Sequence, residues 1–580
     1  MNDIIIGIDL GTTNSEVAWV ENGQASVITD QGKKILPSVV GVDDQGNILI
    51  GETARNQYLL YPERTVKSIK RLMGQDTQVN MAGKMYQPQE ISAMILKRLK
   101  AIAEQHLGHS VSKAVITVPA YFSDAQRQAT REAGEIAGLD VVRMINEPTA
   151  AALVYGAGQT EAKRMLVYDL GGGTFDVSVV NIQDGVVEVL SSHGDNHLGG
   201  DDFDQQIINH IASHVKTEYG LNIAGDTKAM ARITRAAERA KIELSNQPFV
   251  RIEEEYLTEQ DGNPVHLSLE LARSDYETLI EHFIDATLDA VHIALQGAQL
   301  TATDIDDIIL VGGSTRTPCI RERLFDQFGF EPHGEVDPDL CVALGAATQA
   351  AMIQGISVDT VLVDVTPYTY GTSALGYLDG EMSPYRFVPI IHKNSVLPTR
   401  HSEAFQTVYD GQETVIIKIF QGEDPDALNN IEIGAFTVEN LKDVPAGNTI
   451  TLTLELDLNG LLKVSAREKA TGLEKTVTID NAIARFEQEQ LSDARQRVSD
   501  LFGEAAADES EATAPESERI KAARLAIAKA ESLFDQVTLE DREDLSDMIE
   551  TLTDLIAHDD EAALVEPLEQ LNDMLYYLDH

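Results

Sequence analysis

The chain has 580 residues, several times the size of a single hydrophobic core, which predicts two or more domains. Its 45 basic and 94 acidic residues give a formal charge of −49, while 43% of its residues are hydrophobic, as in folded proteins. This charge excludes nucleic-acid binding, the short apolar runs exclude a membrane span of roughly 20 residues, and two cysteines exclude a disulfide framework.

The N-terminal part of the chain has the pattern of an α/β domain. From residue 1 to about residue 355, short apolar strands alternate with helical stretches. One helix is predicted to begin at Ser123, which has Gln126 at capping-box spacing, and to run towards Gly138. Residues 1–12 have neither the basic start nor the long apolar run of a signal peptide, so we expect a cytoplasmic protein.

The remainder of the chain has two further patterns. Between about residues 367 and 480, apolar side chains alternate with polar ones, as in Ile450 to Leu456, and Asn459-Gly460 predicts a hairpin turn. After residue 481 an acidic helical periodicity takes over. We therefore predict an α/β domain over 1–358, a linker over 359–366, an antiparallel β domain over 367–480 and helices over 481–580.

The predicted linker has an unusual composition. It contains an apolar run, Val361 to Val365, that is interrupted only by Asp364. Linkers are normally polar, so we expect this one to dock on a neighbouring surface. The alternative is an ordinary edge strand of the β domain.

Two distant segments of the α/β domain resemble each other. Residues 6–13 and residues 167–174 each consist of a strand, an Asp, a glycine turn and a Thr. Glycines let backbone N–H groups approach phosphate oxygens, Thr hydroxyls add donors, and a strand-end Asp can hold hydrated Mg²⁺. The repetition predicts two lobes that face one phosphate-bearing ligand.

A third glycine turn, at residues 311–316, also follows an apolar strand. We expect it to pass close to a base or a ribose, with Arg316 near the purine face; the alternative is a tight strand-to-helix connection. In residues 235–245 the helical spacing places Glu238, Lys241 and Ser245 on one stripe. Taken alone, that stripe is also consistent with a solvated helix face.

Five ordered motifs resemble those of the seventy-kilodalton heat-shock chaperones of DnaK type. They are IGIDLGTTNS (6–15), VPAYFSD (118–124), NEPTAAA (146–152), DLGGGTFD (169–176) and VGGSTRTP (311–318). The resemblance extends to about residue 480 and weakens in the helical tail. A short segment after KRLMG (70–74) and extra residues around Gly380 to Pro389 resemble the HscC branch.

The resemblance implies a two-lobed, actin-like and ribonuclease-H-like ATPase domain, a peptide-binding β sandwich and a helical lid. ATP hydrolysis would then control the affinity for exposed hydrophobic segments of unfolded clients. It further implies Mg²⁺, with K⁺ as another candidate ion, a J-domain co-chaperone, a nucleotide exchange factor as a further candidate partner, and a monomer.

By motif, the resemblance also assigns residues to the ATPase site. Lys70, Glu147, Asp169 and Thr174 would be catalytic, and Asp9 and Asp169 would hold Mg²⁺ mostly through water. The residues expected to bind the nucleotide are Gly11, Thr12, Thr13, Asn14, Gly171, Gly172, Gly173, Glu238, Lys241, Ser245, Gly312, Gly313, Ser314, Arg316 and Asp339. Ile242 stands where some relatives have an Arg, so contacts with the base would be apolar at that position.

Two further residue sets follow from the resemblance. Pro119, Arg127, Arg143, Asn146 and Asp364 match positions that couple the domains. Those expected to contact the client peptide are Leu375, Phe405, Val408, Val415 and Ile417. The alternative for the peptide set is the sandwich core.

Two other function classes share paired phosphate hairpins: small-molecule kinases of the same ATPase clan and actin-like filament proteins. Neither has a use for the β domain and the acidic helices, and the charge of −49 opposes self-association.

Overall fold

The fold is described from a computed structural model of the chain. The described residues are 4–21, 23–156, 161–260, 263–332, 337–356, 360–439, 441, 445–469, 474–478 and 488–502, with single positions at 526, 548, 552, 567, 568, 570, 571 and 574. The chain forms two compact units, Met1–Phe502 and Gly503–His580. Within the second unit, Leu552 and Leu571 are helical and buried.

The first lobe of the α/β region extends to Gly156. Its elements are β1 (Ile5–Leu10), β2 (Asn14–Glu21), β3 (Gln24–Val27), β4 (Leu36–Pro37), β5 (Val39–Val42), β6 (Ile48–Ile50), α1 (Glu52–Gln57), β7 (Thr65–Lys67), β8 (Val79–Met81), β9 (Lys84–Tyr86), α2 (Pro88–Leu107), β10 (Lys113–Val118), α3 (Asp124–Ile136), β11 (Asp140–Asn146) and α4 (Glu147–Gly156). The main sheet has the order β11-β10-β1-β2-β3, and β4 also pairs with β2. β1 is parallel to β10 and antiparallel to β2.

The second lobe repeats this arrangement. Its elements are β12 (Lys163–Leu170), β13 (Phe175–Gln183), β14 (Val186–Asp195), α5 (Gly200–Tyr219), α6 (Thr227–Leu244), β15 (Phe249–Gln260), β16 (Asn263–Ala272), α7 (Arg273–Gly297), β17 (Asp307–Val311), α8 (Pro318–Phe328), α9 (Cys341–Ile353) and β18 (Val361–Val363). The sheet order is β17-β12-β13-β14-β18. β12 is parallel to β17 and antiparallel to β13, so each lobe carries one hairpin beside one parallel strand.

Helices α4 and α9 join the lobes. α9 packs on the sheet of the first lobe, and α4 packs both on α9 and on the sheet of the second lobe. The approach is very close, since a Cβ atom added at Gly345 would lie 1.8 Å from the carbonyl O of Ala150. A Cβ atom at Gly7 in β1 would likewise lie 2.1 Å from the N atom of Ala347. Glycine is therefore required where the lobes meet.

The region after the second lobe is a β sandwich. Its strands are β19 (Tyr370–Leu378), β20 (Glu381–Ile391), β21 (Thr399–Gln406), β22 (Val415–Gln421), β23 (Ile431–Val438), β24 (Thr449–Leu456), β25 (Leu462–Glu468) and β26 (Glu474–Thr478). They form two antiparallel sheets, β20-β19-β22-β23 and β21-β24-β25-β26. Apolar side chains from both sheets, such as Ile419 and Leu454, share one core.

Helix α10 (Gln488–Leu501) docks on α2 and α3 of the first lobe. Ala494 and Val498 are buried in the apolar core of that lobe. Arg497 Nη2 lies 2.8 Å from Oε1 of Glu90, whose Oε2 accepts a hydrogen bond from the Gln87 N–H at the start of α2. The other helices predicted over 481–580 lie largely outside the described residues.

The local sequence predictions agree with this fold. Ser123 and Gln126 form the capping box of α3, and the helix ends at Ile136, just before Gly138. In β24 the side chains from Ile450 to Leu456 alternate as predicted, with the apolar ones buried. Gly460 has a φ of 75°, the left-handed conformation that the predicted hairpin turn requires.

The apolar run in the linker is a strand of the second lobe. β18 pairs in parallel with β14, with Val361 opposite Val186 and Val363 opposite Glu188. Val365 is buried and bridges to Val396 of the β domain. The prediction that the run docks is confirmed, and the alternative of an edge strand in the β domain is wrong.

We predict that Gly345→Ala destabilises the two α/β lobes, because the new methyl group would overlap the Ala150 carbonyl and push α9 away from α4. The expected loss is about 1–3 kcal/mol of unfolding free energy, the usual cost of overpacking, read as a lower melting temperature. Gly225→Ala is the matched control, since nothing lies within 4 Å of a Cβ atom there. Equal melting temperatures for the two variants would contradict the packing argument.

Candidate functional site

Two equivalent hairpins, one from each lobe, meet between the lobes. In the β1–β2 hairpin Asp9 lies opposite Glu16, and in the β12–β13 hairpin Asp169 lies opposite Asp176. The glycine turns touch, because a Cβ atom at Gly172 would lie 1.9 Å from Thr13 Oγ1. The similarity that the sequence predicted between the two hairpins therefore includes the positions of their paired acidic residues.

Carboxylates outnumber cations in this centre. Lys70 is only 5% exposed, and its Nζ lies 2.5 Å from Oε1 of Glu147. Burial, and then the negative charge of Glu147, raise the pKa of Asp9 to about 7.

The other acids of the centre respond in the same way. Burial and then the charge of Glu147 raise the pKa of Asp176 to about 7. The pKa values of Glu16 and Asp169 are also raised well above their ordinary range, mainly by burial. Lys70 lowers all of these pKa values but does not offset the burial, so the centre favours additional positive charge.

Several oxygen atoms in the centre are available to a ligand. Asp9 Oδ1 accepts a hydrogen bond from Thr117 Oγ1 at 2.8 Å, and Asp176 Oδ1 accepts one from the Tyr121 N–H at 3.0 Å. Asp176 Oδ2 and Thr13 Oγ1 are buried without a hydrogen-bond partner. In the described part of the chain no three His, Cys, Asp or Glu side chains are arranged to hold a metal ion directly. This donor set suits a hydrated divalent cation bound together with phosphate oxygens.

Two adjoining cavities share Thr12 and Thr13. The smaller, of about 90 Å³, is lined by both glycine turns, Lys70 and Glu147. The larger, of about 420 Å³, is lined by residues of both lobes, among them Tyr58 from the first and Ile242 from the second. An elongated ligand with a compact anionic end fits this pair of cavities better than a compact molecule does.

The residues predicted to bind the nucleotide are largely brought together around these cavities. Those lining the smaller cavity are Gly11, Thr12, Thr13, Asn14, Gly171, Gly172, Gly312, Gly313 and Asp339, and Thr174 lines it too. Glu238 lines the larger cavity. Gly173 abuts Thr12, since a Cβ atom there would lie 2.7 Å from Thr12 Cγ2.

The remaining members of that set lie beside the cavities. Lys241 Nζ lies 2.9 Å from Asp204 Oδ2, and Ser314 Oγ donates to the Gly171 carbonyl at 2.9 Å. Ser245 donates to the Lys241 carbonyl at the end of α6. Arg316 is half exposed and forms ion pairs with Asp337 and Asp339, both at 2.7 Å, and it does not line either cavity.

A clasp between the lobes was not anticipated from the sequence. Ser68 Oγ donates to Asp201 Oδ2 at 2.7 Å, and the Arg71 guanidinium forms an ion pair with Asp202. Arg71 Nε also donates to the Gly173 carbonyl at 3.3 Å. The partners are more than 100 residues apart, so no local pattern could have paired them.

Three of the five predicted coupling residues, Arg127, Asn146 and Asp364, are joined in one chain of hydrogen bonds. Asn146 Nδ2 donates to Asp364 Oδ2 at 2.9 Å, and Arg127 Nη2 donates to Asn146 Oδ1 at 2.7 Å. Arg127 also donates to the carbonyl of Ala120, the residue after Pro119. Burial raises the pKa of Asp364, and the charge of Arg127 opposes this rise. The linker is thus tied to the first lobe through a carboxylate.

The sequence reasoning missed several contacts between the β domain and the lobes, among them two hydrogen bonds. The Met144 N–H donates to Oδ1 of Asn459, in the turn between β24 and β25, at 3.0 Å. Tyr368 Oη donates to the Tyr121 carbonyl at 2.6 Å. Arg143 lies near the first of these contacts; burial lowers its pKa, and Asp457 and Asp364 oppose the change.

The residues predicted to bind a client peptide come from β19, β21, β22 and the segment that joins β21 to β22, and Leu375 lies where the sheet of β19 and β22 opens. β19 and β22 pair only from Tyr370 to Thr372. Beyond that point the strands separate, and Leu375 and Val408 are 54% and 60% exposed. Phe405 and Val415 are half-buried against the sandwich core, and Ile417 is buried within it. This set therefore contains both edge and core positions.

Comparison with known proteins identifies relatives over most of the chain. A family model described as Hsp70 protein matches residues 5–579. Proteins named chaperone protein DnaK from Thermotoga neapolitana and Thermosipho melanesiensis are each 47% identical, over 492 and 485 residues. Both alignments cover 82% of this chain and 80% of the relative. The helices that the structure describes include none long and apolar enough to cross a bilayer.

We predict that the contact between the β domain and the second lobe weakens on acidification. Lys393 Nζ lies 3.2 Å from His193 Nδ1, and it lies 5.6 Å from the centre of the Tyr121 ring. Burial and the charge of Lys393 lower the pKa of His193 to about 4, although Asp195 opposes the shift. Burial also lowers the pKa of Lys393, and Glu423 opposes that shift.

A lowered histidine pKa means that docking requires the neutral ring. The contact is therefore fully favourable above the free-histidine pKa of about 6.5 and is lost as the pH falls from there towards 4. Energy transfer between dyes on the second lobe and the β domain, measured from pH 7.5 to 5, should fall. His193→Leu should flatten the dependence of energy transfer on pH, and the exposed control His401→Leu should not. The same pH dependence in the parent and both variants would refute the role of His193.

Proposed function

The chain belongs to the Hsp70 protein family and is an ATP-dependent chaperone with ATPase activity, and from that premise we propose how its residues divide the work. Residues 1–358 hydrolyse ATP, 359–366 transmit the nucleotide state, 367–480 hold the client and 481–580 act as a lid. The observation that carries the proposal is the Lys70–Glu147 pair inside a carboxylate-lined cavity where the two lobes meet. The alternatives of a kinase and a filament protein leave the β domain without a role.

We propose that Lys70, Glu147, Asp169 and Thr174 are catalytic. The Lys70 ammonium stabilises negative charge that develops on the transferred phosphoryl group, and Glu147 orients the attacking water. Their buried contact at 2.5 Å supports this pairing, because each side chain fixes the position of the other. Burial raises the pKa of Asp169, so the protein does not fully compensate the charge of this carboxylate. This supports a position for Asp169 beside a bound cation.

The glycine turns are proposed to cradle the phosphates. Main-chain N–H groups of residues 12–14, 172 and 173 would donate to phosphate oxygens, whereas those of Gly11 and Gly171 close the turns by donating to Ser15 Oγ and to the Thr174 carbonyl. The Thr13 hydroxyl, which lacks a partner, would add a donor. Asp9 and Asp169 would hold Mg²⁺ through water. Bound with the nucleotide, this ion would supply the positive charge that the buried carboxylates and phosphates require; K⁺ is a further candidate.

The adenosine is proposed to extend from the smaller cavity past α6. Glu238, Lys241 and Ser245 come from that helix, and Gly312, Gly313, Ser314, Arg316 and Asp339 come from the glycine turn after β17 and the following loop. Two ion pairs, of Lys241 with Asp204 and of Arg316 with Asp339, support this assignment because they fix both side chains. Lys241 is held beside Gly200, and Arg316 is held through Asp339 beside Gly313.

We expect Lys70→Ala to retain nucleotide binding within a few-fold and to lose turnover by on the order of 100-fold, as when one transition-state donor is removed. Single-turnover hydrolysis of Mg-ATP and titration with a fluorescent ADP separate the two effects. The exposed Lys84→Ala controls for the loss of one positive charge. Unchanged turnover in Lys70→Ala would remove Lys70 from the mechanism.

Pro119, Arg127, Arg143, Asn146 and Asp364 are proposed to couple the nucleotide state to the β domain. A docked apolar strand whose single carboxylate is buried can act as a two-state element, docked with ATP and released with ADP. The hydrogen bonds from Asn146 and Thr149 to Asp364 support this role. So does the pairing of β18 with β14.

Asp364→Asn should uncouple the two activities. Asp364 accepts hydrogen bonds at both oxygens, one from the Val365 N–H and one from Asn146 Nδ2, and an amide cannot accept at both ends. Basal hydrolysis and peptide affinity with ADP should stay within twofold of the parent, while ATP-induced peptide release slows at least tenfold. Asp289→Asn, at an exposed position of helix α7, is the matched control. Release at the parental rate would contradict the coupling role.

The client site is proposed to consist of Leu375, Phe405, Val408, Val415 and Ile417. The client would be an extended, apolar segment of an unfolded or partly folded polypeptide, held by main-chain hydrogen bonds and by one apolar pocket. The separated edges of β19 and β22 support this site. A J-domain co-chaperone, an exchange factor, a monomeric state, a cytoplasmic location and the HscC branch remain predictions.

A further inference from the structure

The β19–β20 hairpin continues well beyond the point where its sheet opens. β19 pairs with β22 only as far as Thr372, whereas it pairs with β20 out to Leu378, opposite Glu381. By this register Val415, the first residue of β22, lies level with Gly376, so residues 373–376 run unpaired beside β22 and the end of the hairpin, residues 377–382, projects past it. Among the described residues no strand pairs with the other edge of β19 from Ser373 to Leu378, so that edge offers free N–H and C=O groups.

One face of this projecting hairpin is apolar and exposed. Tyr377 lies directly opposite Met382, and Leu375 precedes Tyr377 by two residues, so the three share a face. Their exposures are 71%, 60% and 54%, and Tyr385, at the bulge opposite Leu375, is 43% exposed. We call these four residues the apolar stripe. A contiguous exposed apolar surface of this kind marks an interaction site in a soluble protein.

The hairpin is held rigidly at its base. The Phe387 N–H donates to the Pro425 carbonyl at 2.8 Å, and the Phe387 ring is buried against Phe420 and Ala427. Arg386 crosses the strand at Gly376, where an added Cβ atom would lie 2.6 Å from Arg386 Cδ. The apolar stripe is thus a preformed surface that belongs to the folded sandwich.

We propose that this hairpin lengthens the client site and binds the part of the client chain next to the segment held in the groove. The inference rests on the client site proposed above, because Leu375 belongs to both that site and the apolar stripe. The free edge of β19 is the edge that faces the opening, so an extended client can continue along it by strand addition.

The geometry also specifies what the client should contain. Side chains two residues apart in a strand are separated by roughly 6.4–6.8 Å, so Tyr377 meets a client residue two positions from the one at Leu375. Tyr377 and Met382 favour an aromatic or large aliphatic residue there. Asp379 and Glu381, exposed at the hairpin tip, favour a Lys or Arg further along.

The test compares three peptides on the full chain with Mg-ADP, using fluorescence anisotropy. The core peptide has three leucines flanked by Ser and Gly. The other two extend it by Ser-Phe-Ser-Lys on the C-terminal side or by Lys-Ser-Phe-Ser on the N-terminal side. The test variant is Tyr377→Ser with Met382→Ser; the matched control is Ile431→Ser, which removes an apolar side chain, 56% exposed, from the opposite edge strand of the same sheet.

We expect the double variant to weaken one of the two extended peptides by roughly 5- to 20-fold, the scale of burying one aromatic side chain, and to leave the core peptide within twofold. Replacing Phe by Ser in that peptide should give the same loss, and the two losses should not add. Ile431→Ser should change none of the affinities.

Other outcomes overturn specific claims. Equal binding of all peptides to the parent and the double variant, with the core peptide still lost in Val415→Phe, refutes the extension alone. If Val415→Phe, well folded, binds the core peptide normally, the client site itself is refuted. If sedimentation shows self-association that the double variant abolishes, the apolar stripe binds a second copy of the chain, and the proposal is wrong.

Discussion

The buried excess of carboxylates between the lobes is the constraint on which the rest of the structure depends. Asp9, Glu16, Glu147, Asp169 and Asp176 lie around the ammonium of Lys70, and burial raises the pKa of four of them. Lys70 does not offset the burial of these acids, and uncompensated buried charge is costly. A cation-bearing ligand that enters between the lobes is therefore stabilised by acids from both of them.

The same centre is connected to the β domain by direct hydrogen bonds. Asp176 accepts from the Tyr121 N–H, and the Tyr121 carbonyl accepts from the hydroxyl of Tyr368, which lies just before β19. The segment from Pro119 to Phe122 therefore touches both the acids and the neighbouring domain, and Arg127 holds it through the carbonyls of Ala120 and Phe122. A change at Asp176 and a change at the domain contact act on one short piece of backbone, which gives coupling a physical path.

Local features of the fold were predictable from the sequence, whereas contacts between distant residues were not. Some local features depend on residues within a few positions of each other, and sequence patterns of that length can be recognised. They are the capping box of α3, the hairpin after β24 and each of the two glycine turns. The motifs also led to Lys70 and Glu147, which are 77 residues apart. The clasp of Ser68 with Asp201 and the ion pair of Arg497 with Glu90 depend on how the elements pack. The sequence does not indicate which distant residue a surface Ser, Asp or Arg will contact.

Several of the contacts between the domains are individually weak. Between the β domain and the lobes they include single hydrogen bonds, from Tyr368 to Tyr121 and from Met144 to Asn459, and β18 adds only three residue pairs to β14. Each such hydrogen bond is worth only about 0.5–1.5 kcal/mol net, because the same groups bond to water when they separate. The docked and released states can therefore lie within a few kcal/mol of each other. A difference of that size is within the range that nucleotide binding can supply, so the interface can be reset at each ATPase cycle without unfolding either domain.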